Sequence, residues 1–139
     1  MPQAGDVFRY RDYEFEDGSK RDKLFVVLNT ADLERPCLVL KTTSRPERYQ
    51  GCVKGCNKNR KCFYAPAAWQ PSFKFDTYIQ LPQIIEFPAG RLLQEAFARR
   101  VEYVPPLTPD ALARLKDCLA TFKDDISSAH WGLIFRAKN

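Results

Sequence analysis

Leu24-Phe25-Val26-Val27-Leu28 is an unbroken apolar run of five residues, rich in β-formers. Too short for a helix, it reads as a buried central strand. Upstream, Gly5-Asp6 marks a turn, and Val7-Phe8-Arg9-Tyr10 alternates as a strand should. Tyr13-Glu14-Phe15-Glu16 alternates again before a tight turn at Asp17-Gly18. Downstream, the polar stretch from Asn29 to Pro36 predicts a loop, and Cys37-Leu38-Val39-Leu40 a further strand ending in Lys41-Thr42-Thr43-Ser44.

Residues 45–61 hold Pro46, Gly51, Gly55 and two asparagines with little apolar period, which predicts a loop. Cys62-Phe63-Tyr64 reads as a return strand, and Pro66 to Pro71 as a second loop carrying Trp69. Thr77–Leu81 and Ile84–Phe87 read as two strands separated by Pro82, and Val101–Val104 as an edge strand stopped by Pro105-Pro106. Arg91 to Arg100 predicts a short helix with Leu92, Leu93 and Ala96 on one side. Thr108-Pro109-Asp110 is a helix start, with an N-cap, a proline at the first helical position and an acid in the first turn. The helix, about 108–123, places Leu112, Leu115, Leu119 and Phe122 on one face. Short strands followed by a late helix predict a mostly β, α+β domain of the barrel-plus-helix kind.

The 139 residues match the size of one domain, 1–139, and 45% hydrophobic with 13% aromatic content argues against disorder. No stretch reads as a targeting segment or a membrane span, so the expected location is the cytoplasm. The odd count of five cysteines predicts reduced thiols rather than a disulfide framework. Cys52, Cys56 and Cys62 lack the paired short spacing of a structural zinc site, and neither a metal nor a cofactor is expected.

The net charge of +5 is local. Lys41, Arg45, Arg48, Lys54, Lys58, Arg60 and Lys61 fall within 21 residues and are opposed only by Glu47. With glycines, Tyr49 and Tyr64 interleaved, this basic segment suits RNA: cations meet phosphates and aromatic rings stack bases. Trp69 and Phe73 offer a stacking platform or core packing, and the strand-end hydroxyls Thr42, Thr43 and Ser44 suit either a loop start or phosphate contact. His130, the one histidine, reads as a general base or as part of a packed terminal cap.

Four stretches in series resemble the PemK/MazF toxin family, from residue 5 to about residue 123. They are the Gly5-Asp6-Val7 opening; Gly18-Ser19 followed by Lys23 and the Leu24–Leu28 run; Leu38–Ser44; and Asp76-Thr77-Tyr78-Ile79-Gln80-Leu81-Pro82-Gln83-Ile84. The Leu107-Thr108 helix start is similar as well. The resemblance implies an SH3-like barrel that cleaves single-stranded RNA without metal, as the toxin of a toxin–antitoxin module. It further implies a homodimer, neutralised by an antitoxin whose acidic tail covers the RNA groove. In that chemistry a ribose 2′-hydroxyl attacks the adjacent phosphate, a cation stabilises the developing charge and a hydroxyl assists. The family's arginine matches Lys23 here, with Arg21 two residues earlier as a substitute, and its threonine matches Thr42. Leu24 stands where a proline usually follows the arginine. Lysine supplies a point charge where guanidinium grips phosphate bidentately. That departure keeps a second reading open, a non-catalytic module of the same fold that binds nucleic acid or protein in a defence or regulatory complex. A third is a zinc-stabilised interaction domain built on the loop cysteines.

Overall fold

The computed structural model describes residues 2–136; Met1 and the last three residues of the expected terminal segment lie outside them. Seven strands form one antiparallel sheet: β1 Val7–Glu14, β2 Lys20–Val27, β3 Cys37–Thr43, β4 Gly55–Asn57, β5 Cys62–Ala65, β6 Thr77–Phe87 and β7 Val101–Val104. Their order is β4-β5-β6-β3-β2-β1-β7. The helices are α1 Ala89–Phe97, α2 Pro109–Ala120 and the single turn α3 Ser128–Trp131, which runs into a π-helical turn over Gly132–Arg136.

The apolar run at 24–28 is unbroken because both faces of β2 are covered. Val26 and Leu28 point to one side, where Leu38, Leu40, Phe63 and Ile79 meet Leu115 and Leu119 of α2. Phe25 and Val27 point to the other, where Phe8, Tyr10, Val39 and Phe87 meet Ala89 and Leu92 of α1. A strand's two-residue period sorts neighbours to opposite faces, so covering both faces leaves no polar position. The second face is an aromatic cluster, with Phe25 centred 5.4 Å from Phe8 and 5.6 Å from Phe87.

The turn at Gly5 requires glycine. Its φ is +93°, and a Cβ there would lie 3.2 Å from Leu112 Cδ2. Its N–H donates to the Val27 carbonyl and its own carbonyl accepts from Leu107, each at about 2.8–2.9 Å, so the N-terminal turn is seated between β2 and the start of α2. That start is built as the sequence predicts: Thr108 Oγ1 accepts from the Ala111 N–H at 3.2 Å, and Pro109 opens the helix.

Several elements differ from expectation. The first two predicted strands are one, β1, with a bulge at Arg11-Asp12 where Asp12 takes φ +54° and the pairing shifts. The two strands on either side of Pro82 are also one, β6; its pairing with β3 shifts between Leu40 and Thr42, an irregularity that accommodates a residue without an N–H. The 45–61 segment contains β4 and two 3-10 turns rather than only loop. In α1, Leu93 is 49% exposed while Leu92 is buried, so the two do not share a face.

The thiol expectation is corrected. Cys56 of β4 is disulfide-bonded to Cys118 of α2, with Cα atoms 5.4 Å apart. The pairing follows from α2 packing across β4, a tertiary contact bridging 62 residues. Cys37, Cys52 and Cys62 are free. Among the described residues, no helix is long and apolar enough to cross a membrane.

Candidate functional site, a basic groove where two strands part

The ladder between β2 and β3 ends at the pair Phe25–Lys41. Beyond it, β2 continues to Lys20 alongside β1, while β3 continues to Thr43 alongside β6. The two strands diverge, and the gap is a groove of about 400 Å³. One side is Arg21, Asp22, Lys23 and Leu24 of β2, with Arg9 paired beside Leu24 on β1; the end of β3 and the residues after it supply Thr42, Thr43, Ser44 and Arg45. The opposite wall is the segment from Ser72 to Phe75, together with Thr77.

That opposite wall is held firmly. The buried Gln70 donates from Nε2 to the Pro106 carbonyl at 2.8 Å, and its Oε1 accepts from the Thr108 N–H at 3.2 Å. Ser72 donates to the Pro105 carbonyl. Asp76 accepts from the Tyr64 hydroxyl and from the Ala67 N–H, both at 2.9 Å, and these bonds hold its carboxyl below the usual carboxylate range.

Arg21, Lys23 and Thr42, named by resemblance, therefore line one groove. Arg21 lies over the Phe15 ring at 4.6 Å, and Lys23 Nζ sits 5.7 Å from the same ring. Lys23 is half-buried; burial, then the positive charges of Arg21, Lys41 and Arg45, pull its ammonium down from the ordinary 10.5 to about 8. Among the described residues it makes no salt bridge. Its amine is thus an uncompensated cation close to its own titration point.

Thr42 is only 4% exposed, and its hydroxyl donates to the Leu24 carbonyl at 3.0 Å. It forms the floor of the fork. Thr43 accepts from the Arg45 N–H at 3.2 Å, and Ser44 is exposed on the rim.

The basic segment divides. Arg45 lines the groove, and Lys41 acts on it through its charge on Lys23. Arg48, Lys54, Lys58, Arg60 and Lys61 do not line it. Arg60 instead clamps the segment, donating to the Gln50 carbonyl at 2.7 Å and the Arg48 carbonyl at 2.6 Å. Tyr49 is stacked on Tyr78 at 5.2 Å, and Tyr64 packs against the same ring at 4.8 Å.

The cysteines of this segment do not converge on one point. Cys56 is in the disulfide, and Cys52 Sγ lies 3.7 Å from Cys62 Sγ. Among the described residues, no three His, Cys, Asp or Glu side chains are grouped as metal ligands would be. With Cys56 oxidised, the zinc reading loses one of its three loop ligands. His130 stands apart from the groove. Its Nε2 is 2.5 Å from Glu86 Oε1, beside a second hollow of about 360 Å³ formed with Gln83, Asp125 and Ser127.

Sequence reasoning missed Arg9, Ser72, Lys74 and Phe75. Arg9 alternates with core residues on β1 and carries no motif. Lys74-Phe75-Asp76 did carry a signal, a cation and an aromatic together in a loop next to a proline-rich turn. The chain is matched by no protein-family model, no curated protein and no solved structure.

Proposed function

We propose that the groove binds RNA and cleaves it, the chain acting as an endoribonuclease toxin of the PemK/MazF kind. The observation that carries this reading is the meeting of Arg21, Lys23 and the Thr42 strand end in one cationic cleft. Arg9, Arg21, Lys23, Arg45 and Lys74 surround the space, with Asp22 as the one acid among the lining residues. Such a cleft concentrates a polyanion.

In the proposed reaction, a ribose 2′-hydroxyl gives up its proton to water and its oxygen attacks the neighbouring phosphorus, the bond to the 5′-oxygen breaks, and that oxygen takes up a proton. The products carry a 2′,3′-cyclic phosphate and a 5′-hydroxyl. Protonated Lys23 and the Arg21 guanidinium stabilise charge on the phosphoryl oxygens as it develops. A Lys23 amine that titrates near 8 also exchanges protons readily at working pH, as an acid–base group must. Thr42 serves by holding the fork, and the exposed Ser44 hydroxyl is the better placed to meet a phosphate oxygen. The SH3-like barrel, the homodimer, a cytoplasmic setting and an antitoxin with an acidic tail belong to this reading through the resemblance. A groove lined by five cations suits such a tail.

A specific observation favours the second reading, a binding module without catalysis. The Thr42 hydroxyl is committed to the Leu24 carbonyl, and lysine stands where the family has arginine. Purified protein incubated with RNA in EDTA separates the two. Fragments ending in 2′,3′-cyclic phosphate support the nuclease, whereas intact RNA bound tightly and salt-sensitively supports the module.

A further inference from the structure

Each ring that the basic segment and its neighbouring loop offer as a base platform is already engaged. Tyr49 and Tyr64 pack on Tyr78, Trp69 has the Arg114 guanidinium 5.4 Å above it, and Phe73 is 3% exposed. Phe75 differs. It lines the groove with Arg21 and Lys23, next to Lys74, and is 68% exposed. Its backbone is held even though its ring is in water: the Phe75 carbonyl accepts the Thr77 hydroxyl at 2.9 Å, and the next residue, Asp76, accepts the Ala67 N–H through its carboxylate at 2.9 Å. Holding a large apolar ring in water beside cations gains nothing for the fold.

We propose that Phe75 is a stacking platform for an unpaired nucleobase, with Lys74 and Arg9 gripping the phosphate beside it, which gives this chain its own means of holding the single strand that the resemblance implies. Every base has a π-face, so one ring serves any sequence. In a duplex both faces of each base are covered by its neighbours, which leaves this ring nothing to stack on. Lys74 makes no salt bridge among the described residues. Arg9 meets Glu102 at 3.6 Å, but a guanidinium carries five N–H donors, and others remain for phosphate. The inference rests on the groove being a nucleic-acid site and not on cleavage.

The test is binding of the whole chain to a 2′-O-methyl RNA strand, which lacks the attacking hydroxyl, and to an abasic strand of the same length and backbone. The native protein is expected to prefer the base-bearing strand about tenfold, roughly one stacked base. Phe75→Ala should abolish that preference while leaving abasic binding unchanged, and Phe75→Trp should keep it. An equal loss on both strands, an unaltered preference in Phe75→Ala, or a duplex bound as tightly as the single strand would overturn the proposal. Normal cleavage of unmodified RNA alongside any of those results removes the stacking role alone. A stacking preference without cleavage removes only the nuclease reading.

Discussion

The Thr42 hydroxyl donates to the Leu24 carbonyl one residue beyond the last β2–β3 ladder pair. A single side-chain bond thus ties the two strands together at the point where their ladder ends. Thr42→Val keeps the shape and deletes the donor. It should cost about 1 kcal/mol in urea unfolding, the usual net worth of such a bond, and weaken RNA binding or cleavage by more than its stability loss accounts for. Thr42→Ser should restore both. A Thr42→Val protein with native activity would separate the hydroxyl from the site.

Lys23 gives the stability curve a readable slope. Its folded-state value near 8 lies below the unfolded value near 10.5, so between these pH values the unfolded chain binds more protons. Below about 8 the ammonium is charged in both states and the fold carries the full penalty of its burial and cationic neighbours. That penalty fades as pH rises from about 8 to 10.5. Lys23→Met should therefore be more stable than the native chain at pH 7, with the gap in urea midpoint narrowing by pH 10. RNA affinity should move the other way: the native chain should lose affinity above pH 8, whereas Lys23→Arg should not.

Salt titration sorts the cations. Replacing Arg21, Lys23 or Arg45 by alanine should each lower the slope of log affinity against log salt by about 0.7, the value for one phosphate contact on a single strand. Lys58→Ala, outside the groove, should leave the slope unchanged. A lowered slope in Lys58→Ala with unchanged slopes in the three groove variants would relocate the binding face to the outer part of the basic segment.

The disulfide is countable. Thiol titration of the denatured, unreduced chain should find three free thiols, and five after reduction. Because the bond closes a loop of 62 residues, Cys118→Ser or reductant should lower unfolding stability by about 2–5 kcal/mol.

Local chemistry made much of this molecule readable from its residues. The 24–28 run and the Thr108-Pro109-Asp110 cap depend on period and capping, which a linear reading can follow, whereas Arg21, Lys23 and Thr42 were grouped only by the resemblance. Arg9 and Phe75 could not be assigned that way. Each reaches the groove because β1 pairs with β2 and because the buried Gln70 pins the segment before β6, contacts that span many residues. The same limit hid the Cys56–Cys118 bond, since no spacing rule brings β4 beneath α2. In 45–61 the charge count was read correctly, but a count does not say which cations are turned inward. Arg60 is occupied by carbonyls, while Arg45 faces the cleft.

The seating of Gly5 between Val27 and Leu107 has a consequence for synthesis. β1 emerges from the ribosome well before β7, yet β7 is its outer neighbour and its opening turn rests on residues beyond 106. A nascent chain that has released nothing beyond residue 100 leaves β1 with one bare flank and the Phe8 ring without the Tyr103 edge that meets it at 5.8 Å. Pairing over such long separations is slow to form and open to wrong partners until it does. A chain cut before β7 should accordingly be recovered as aggregate rather than as a smaller folded core.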